Sequence, residues 1–232
     1  MNEAIKQHML FLGADVCGIA NRNRFMSAPE GYSPLDLFPA CKSVIVLGKA
    51  IPKGLTQVDS RLLYGHFNAL ICSAVDSIAL QGAVWLERQL HAIAVPVPCD
   101  SPYEYWDQET QTGRGLLSMK HAAVLAGLGQ LGKNSLLIHP QYGNLLTIGA
   151  ILTDLNLPSD AECACLCIKG CSLCMDACPV QAIENGTVNQ TRCRTHTYGK
   201  TARGFDTVDC NRCRVVCPLK YGVIGASSAK AP

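Results

Sequence analysis

The stretch CIKGCSLCMDACP (residues 167–179), joined through a spacer holding Cys193 to CNRCRVVCP (residues 210–218), decides how this chain is read. Each cysteine set ends in C-x3-C-P. A cube of iron and sulfide takes one thiolate at each of four corners, and in two-cluster proteins the cysteine before the proline serves the other cube. The proline is expected to open a helix, where its missing N–H has no partner to lose. That turn would carry the preceding thiolate away from its own loop. The expected ligands are therefore Cys167, Cys171, Cys174 and Cys217 for one [4Fe–4S] cluster, and Cys178, Cys193, Cys210 and Cys213 for the other. The first set is spaced x3-x2-x3, and Cys193 is remote, so Cys163 or Cys165 in ECACLC stays open as a substitute for Cys167. Zinc ribbons also use C-x2-C pairs, but they have no need for two C-x3-C-P endings.

The rest of the chain can support such a module. With 232 residues and 48% hydrophobic content it is able to bury a core. Its 16% of charged residues excludes a disordered polyelectrolyte. Net charge is −2 over residues 1–160 and +4 over 161–232. That surplus reads as compensation for anionic clusters, not as the dense basic stripe of a nucleic-acid binder, and no nucleic-acid partner is expected. Of the 14 cysteines, Cys17, Cys41, Cys72 and Cys99 lie outside the tail and read as ordinary buried thiols. The start has no basic region leading into an apolar leader. No stretch of about 20 uncharged apolar residues suggests a membrane span. Free thiols and oxygen-sensitive clusters fit a reducing cytoplasm.

Apolar periodicity predicts a helix over 3–12, strands over 14–20 and 41–51, a long helix over 62–92 and a further helix over 115–129 closed by glycine. SLLIHP (135–140) and NLLTIGAILTDLNL (144–157) read as strands of a hairpin turning at QYG. Helices and strands followed by a cysteine-rich tail define an α+β body with a two-cluster, ferredoxin-like module appended. The expected division is a cofactor body over 1–160, the cluster module over 161–225 and a loose tail over 226–232.

Two segments of the body are candidates for chemistry. AGLGQLGKNSLLIHP contains Gly127, Gly129 and Gly132 in G-x-G-x-x-G spacing, but a helix precedes it and a strand follows, the reverse of a dinucleotide fingerprint. Asn134 stands where a phosphate-binding loop needs Ser or Thr. What remains is a backbone able to approach a ligand closely, with Gly129, Gly132, Lys133, Asn134 and Ser135 as candidate cofactor contacts. The second segment, CDSPYEYWDQET (99–110), could cover a pocket and donate protons; its ordinary alternative is a surface loop with buried aromatic anchors.

ADVCGIA, FPACKSVIVLG, the AGLGQLGKNSLLIHPQYGNLLTIGAILTDLNL block and the two cysteine sets together resemble epoxyqueuosine reductases and, more distantly, reductive dehalogenases. The resemblance spans about residues 10–220. It implies a nitroreductase-like body holding cobalamin, with flavin as the alternative that such folds ordinarily take. It also implies clusters fed by an external donor such as ferredoxin or flavodoxin, and a corrinoid site lined by residues 129–135. The alternative role is an electron-transfer protein that reduces a partner's corrinoid or flavin. Two departures stand out. The chain stops soon after Cys217, where the family continues into a helical-repeat domain that helps grip tRNA, so a short form is expected. The family's proton-donating Asp has no counterpart in QTGRGLLSMK (111–120), and Tyr103, Tyr105 and Asp107 are the candidate substitutes.

Overall fold

The computed structural model describes residues 1–29, 31–184 and 186–223; the tail expected over 226–232 lies outside them. In chain order the elements are α1 (Asn2–Phe11), β1 (Val16–Asn21), α2 (Pro34–Leu37), β2 (Ser43–Ala50), α3 (Arg61–Leu90), β3 (Ala94–Val97), β4 (Tyr105–Asp107), β5 (Thr112–Arg114), α4 (Met119–Leu125), β6 (Gln130–Leu131), β7 (Leu137–Ile138) and β8 (Leu146–Thr153). The cysteine-rich part adds α5 (Leu173–Asp176), β9 (Ile183–Glu184), β10 (Thr187–Val188), α6 (Gln190–Thr197), β11 (Tyr198–Lys200), β12 (Asp206–Val208) and α7 (Arg212–Val215).

The body is a mixed α/β structure around a four-stranded antiparallel sheet in the order β1-β2-β8-β3. Strand side chains alternate between faces, and β2 shows the consequence. Val44 and Val46 join the core under α4, while Ile45 and Leu47 join the core under α1 and α3. Gly149 on β8 lets α3 close on the sheet, because a Cβ there would sit 2.4 Å from Val75 Cγ1. α3 is long and apolar enough to cross a membrane by length and composition, although Asp76 interrupts its apolar run. Its inner face, including Val75, Ile78, Ala79 and Leu86, is buried against the sheet.

Three local expectations change. β7 pairs with β6, not with β8, so 135–157 is no hairpin; the chain turns through a bridge between His139 and Gly143, and β8 crosses to the centre of the sheet. The 115–129 helix is only seven residues long. It ends with Gly127 at φ +75°, where Gly127 N–H donates to Val124 O and Leu128 N–H to Ala123 O, the reciprocal pair of a left-handed glycine cap. Finally, the helical turns α5 and α7 lie before Pro179 and Pro218 instead of opening at them.

The expected boundary near Pro158–Ala161 falls where the chain is tied to β1. Ile19 N–H donates to Asp160 Oδ2 at 2.9 Å, Asp160 N–H donates to Ile19 O at 2.9 Å, and Asn21 N–H donates to Ser159 Oγ at 2.8 Å. This segment covers what would otherwise be an open sheet edge.

Ile151 is fully buried at the centre of the sheet. Ile151→Ala is expected to cost about 2–5 kcal/mol, read as a lower urea midpoint with the slope of the transition unchanged.

Candidate cluster sites and the adjoining cavity

The eight cysteines sort into two quartets around two pockets. Cys167, Cys171, Cys174 and Cys217 line one, a narrow pocket closed by Ile138, Ile168 and Leu219. Cys178, Cys193, Cys210 and Cys213 line the other, a cavity of about 490 Å³ that extends to Tyr64 and Asn68 on α3. The electrostatic neighbours repeat this grouping. Cys217 is affected by Cys174, Cys167 and Cys171, and Cys213 by Cys193, Cys210 and Cys178. The cysteine before each proline therefore sits with the other loop's thiols. Cys163 and Cys165 line neither of these two pockets; Cys163 instead offers its carbonyl to Gln130 Nε2 at 2.8 Å. Among the described residues, no three His, Cys, Asp or Glu side chains converge on a site for a single metal ion.

Burial pushes the thiols up, most clearly Cys213, to about 11, against the opposing pull of the Arg214 guanidinium. Burial likewise raises Cys174 and Cys217. Thiols held this way are protonated when empty and must release protons to bind metal.

The glycine-rich turn of the body is the wedge between the quartets. Gly132, Lys133 and Asn134 line the first pocket, and Asn134 and Ser135 line the second. Asn134 is buried; its Nδ2 donates to Cys213 O at 3.0 Å while its Oδ1 accepts from Leu136 N–H at 3.3 Å. Lys133 Nζ donates to Cys171 O. Gly129 serves packing within the body, since a Cβ there would lie 2.3 Å from Ile138 O. Asn144 makes a second tie: its Nδ2 donates to Arg214 O at 3.1 Å, and Arg214 Nη1 returns a bond to Asn144 O.

Of the three candidate acids, only Tyr103 lines the large cavity. Its hydroxyl donates to Asp100 Oδ1 at 2.5 Å, and burial followed by that bond raises its pKa. Tyr105 and Asp107 lie on the β4–β5 hairpin, outside the cavity lining. That hairpin docks on the tail through Arg194, whose guanidinium lies 5.3 Å from the Trp106 ring and 5.4 Å from the Tyr103 ring. Tyr105 and Trp106 stay largely exposed, so the segment is neither a closed cover nor a buried anchor. The sequence reading missed Lys120. It stands in the first turn of α4 and lines the cavity with Cys213 and Arg214. It reaches solvent through the cavity, yet the surrounding protein, and then Arg214, pull its pKa below the usual lysine range.

What these features define is a three-layer α/β body with a cysteine-rich tail folded against it, two thiol quartets at the junction and a cavity opening from one of them. No family model matches the chain. Curated relatives do. An epoxyqueuosine reductase of Bacillus cereus is 31% identical over 201 residues, covering 82% of this chain and 51% of that protein. One of Synechocystis sp. is 28% identical over 215 residues, covering 84% and 68%. The matches span from about a third to about two thirds of the curated relatives' own lengths. Among solved structures, epoxyqueuosine reductase from Streptococcus thermophilus superposes with a TM-score of 0.66 at 20% identity, covering 96% of this chain and 67% of that one. A reductive dehalogenase whose structure suggests a mechanism for B12-dependent dehalogenation gives 0.71 at 19%, covering 97% and 32%. In sequence the chain is similar to epoxyqueuosine reductases over most of its length, and it shares its fold with them and with reductive dehalogenases. One neighbour is an epoxyqueuosine reductase solved with an epoxyqueuosine-modified tRNA stem loop, at a TM-score of 0.65 and 18% identity.

Asn134→Ala removes a buried donor that holds Cys213 O and an acceptor that holds the turn itself. It is expected to cost about 1–3 kcal/mol and to lower iron retention on gel filtration of anaerobically reconstituted protein, with an intact far-UV spectrum.

Proposed function

We propose that this chain is an iron–sulfur oxidoreductase in which two [4Fe–4S] clusters deliver low-potential electrons to a cobalamin in the body for reduction of a small substrate. The observation carrying this reading is the grouping of eight cysteines into two quartets, one of which opens onto the cavity beneath α3. On this reading the body is nitroreductase-like, and residues 161–225 form a ferredoxin-like module that draws on a ferredoxin or flavodoxin in a reducing cytoplasm. The donor set fits the clusters: four thiolates per pocket, the first pocket walled by aliphatic side chains.

The cavity suits one edge of a corrinoid, with Tyr64, Asn68, Asn134 and Ser135 as its polar contacts. Bound there, the corrinoid would supply a strongly reducing cobalt centre. The chain's own contribution is positioning and protons. Lys120 takes the place of the carboxylic acid that QTGRGLLSMK lacks. Its lowered pKa makes it a better proton donor than an exposed lysine. Tyr103, tied to Asp100 with a raised pKa, is the weaker acid. Asp100 and Arg194 flank the same space and would orient a polar substrate.

Anaerobic reconstitution is expected to give about eight irons per chain and a cobalamin spectrum that changes on reduction. Cys213→Ala and Cys178→Ala should each lose about half the iron, and Cys163→Ala should lose none. Zinc in place of iron would overturn the cluster reading; a flavin spectrum would overturn the corrinoid. Lys120→Gln should slow turnover by about 10²-fold or more with iron content unchanged.

A second reading, epoxyqueuosine reductase-like action on tRNA, is favoured by the names of the curated relatives. Binding of an epoxyqueuosine-modified stem loop, measured against its unmodified form, tests it. Equal, weak binding of both would leave the small-substrate reading.

A further inference from the structure

Two cysteines outside the tail are neighbours in space. Cys72 lies in the middle of α3, and Cys99 follows β3, twenty-seven residues later. Cys99 Sγ lies 3.5 Å from Cys72 O, and Cys99 N–H donates to Asp76 Oδ1 at 2.8 Å, one turn further along the helix. Both thiols are half-buried and unbridged, and both line a cavity of about 370 Å³. Asp76, Asp100 and Asp206 line the same cavity, and none of its lining residues is Lys, Arg or His. Lys200 pairs with Asp206 at 2.6 Å, which leaves the other two carboxylates to set the sign of the site.

We propose that Cys72 and Cys99 form a thiol–disulfide exchange site that takes a small cationic disulfide. A dithiol in a solvent-connected cavity is the arrangement exchange requires, since the attacking thiolate must reach one sulfur of the incoming disulfide and a second thiol must reach the first. The carboxylate lining selects for charge: it attracts an aminothiol disulfide and repels an anionic one. The Cys99 thiol donates to the Cys72 carbonyl oxygen and so holds its own proton, which makes Cys72 the attacker and Cys99 the resolving thiol.

The steps balance. The Cys72 thiolate attacks one sulfur of the small disulfide; that S–S bond breaks, one small thiolate leaves and a mixed disulfide forms on Cys72. The Cys99 thiolate then attacks the Cys72 sulfur and expels the second small thiolate. The two thiol protons end on the two released thiolates. The protein pair has lost two electrons and the small disulfide has gained them. The new bond would tie α3 to the segment carrying Asp100, which also lines the large cavity and accepts from Tyr103. The proposal rests on this pair alone and stands whatever cofactor the large cavity holds.

The test uses the reconstituted full chain under native, anaerobic conditions. It is exposed to cystamine or to oxidised glutathione, quenched with a maleimide and digested with trypsin. Cleavage at Arg61, Arg88 and Arg114 leaves Cys72 alone in peptide 62–88 and Cys99 alone in peptide 89–114, so a cross-link between the two peptides is unambiguous. It is expected to form roughly tenfold faster with cystamine at low ionic strength, the preference shrinking as salt is added. Cys99→Ser is expected to stop at a mixed disulfide on Cys72. Recovery of both peptides as maleimide adducts, or a cross-link that forms only in denaturant, would overturn the site. Equal rates with the two disulfides would overturn its ligand class, and an unmodified Cys72 in Cys99→Ser would overturn the order of attack.

Discussion

The arrangement depends on one buried amide. Asn134 sits in the turn between β6 and β7, and its side chain is shared between the body and the cysteine-rich tail. A buried polar group without a partner is costly, so the turn is stable in this form only while the tail offers Cys213 O. Around it, backbone meets backbone. Gly143 approaches the carbonyls of Leu219 and Lys220 so closely that a Cβ would lie 2.1 Å from Leu219 O, and Gly222 returns the contact against Gln141. Both have positive φ, which removes any ready substitute for glycine. The tail is thus held through main-chain contacts that leave no room for side chains.

That constraint explains why the glycine-rich segment drew attention for the wrong purpose. Its spacing imitates a nucleotide fingerprint, but its glycines answer to crowding by protein. Gly127 caps α4 and would meet Ala161 O; Gly129 would meet Ile138 O; Gly132 would meet Asn134 Oδ1. The sequence reading rejected the fingerprint on element order alone, which was sufficient. Nothing local to these residues could reveal that Asn134 and Ser135 are the part of the turn that lines the large cavity.

The cysteine grouping was legible because C-x3-C-P spacing carries geometry, and β2 was legible because its β-branched run ends cleanly. Other features were hidden because they depend on distant chain. β8 reads as a hairpin partner of the residues just before it, yet both its neighbours, β2 and β3, come from far earlier in the chain. Lys120 drew no reading, since a basic side chain in LSMKHAA gives no sign of a cavity. Cys72 and Cys99 passed as isolated buried thiols. Of the four so read, only Cys41 is fully buried, while burial pushes the mostly covered Cys17 thiol up to about 12.

The charge of the tail takes on meaning once the pockets are placed. The first quartet has a single basic side chain in its lining, Lys133, and that ammonium donates to a cysteine carbonyl. The second is lined by Lys120, Arg194, Arg212 and Arg214. Four thiolates confined in a protein pocket repel one another and resist desolvation, and nearby cations are the ordinary remedy. Arg214 already opposes the burial that raises Cys213. Here the cations gather at the quartet that opens toward the body, with Lys120 supplied by α4 of the body and Arg194 by α6 of the cysteine-rich tail. Of the nine cations in residues 161–232, three, Arg194, Arg212 and Arg214, line this one thiol site. The same cations that favour thiolates there also line the rest of the cavity, up to Tyr64 and Asn68 on α3.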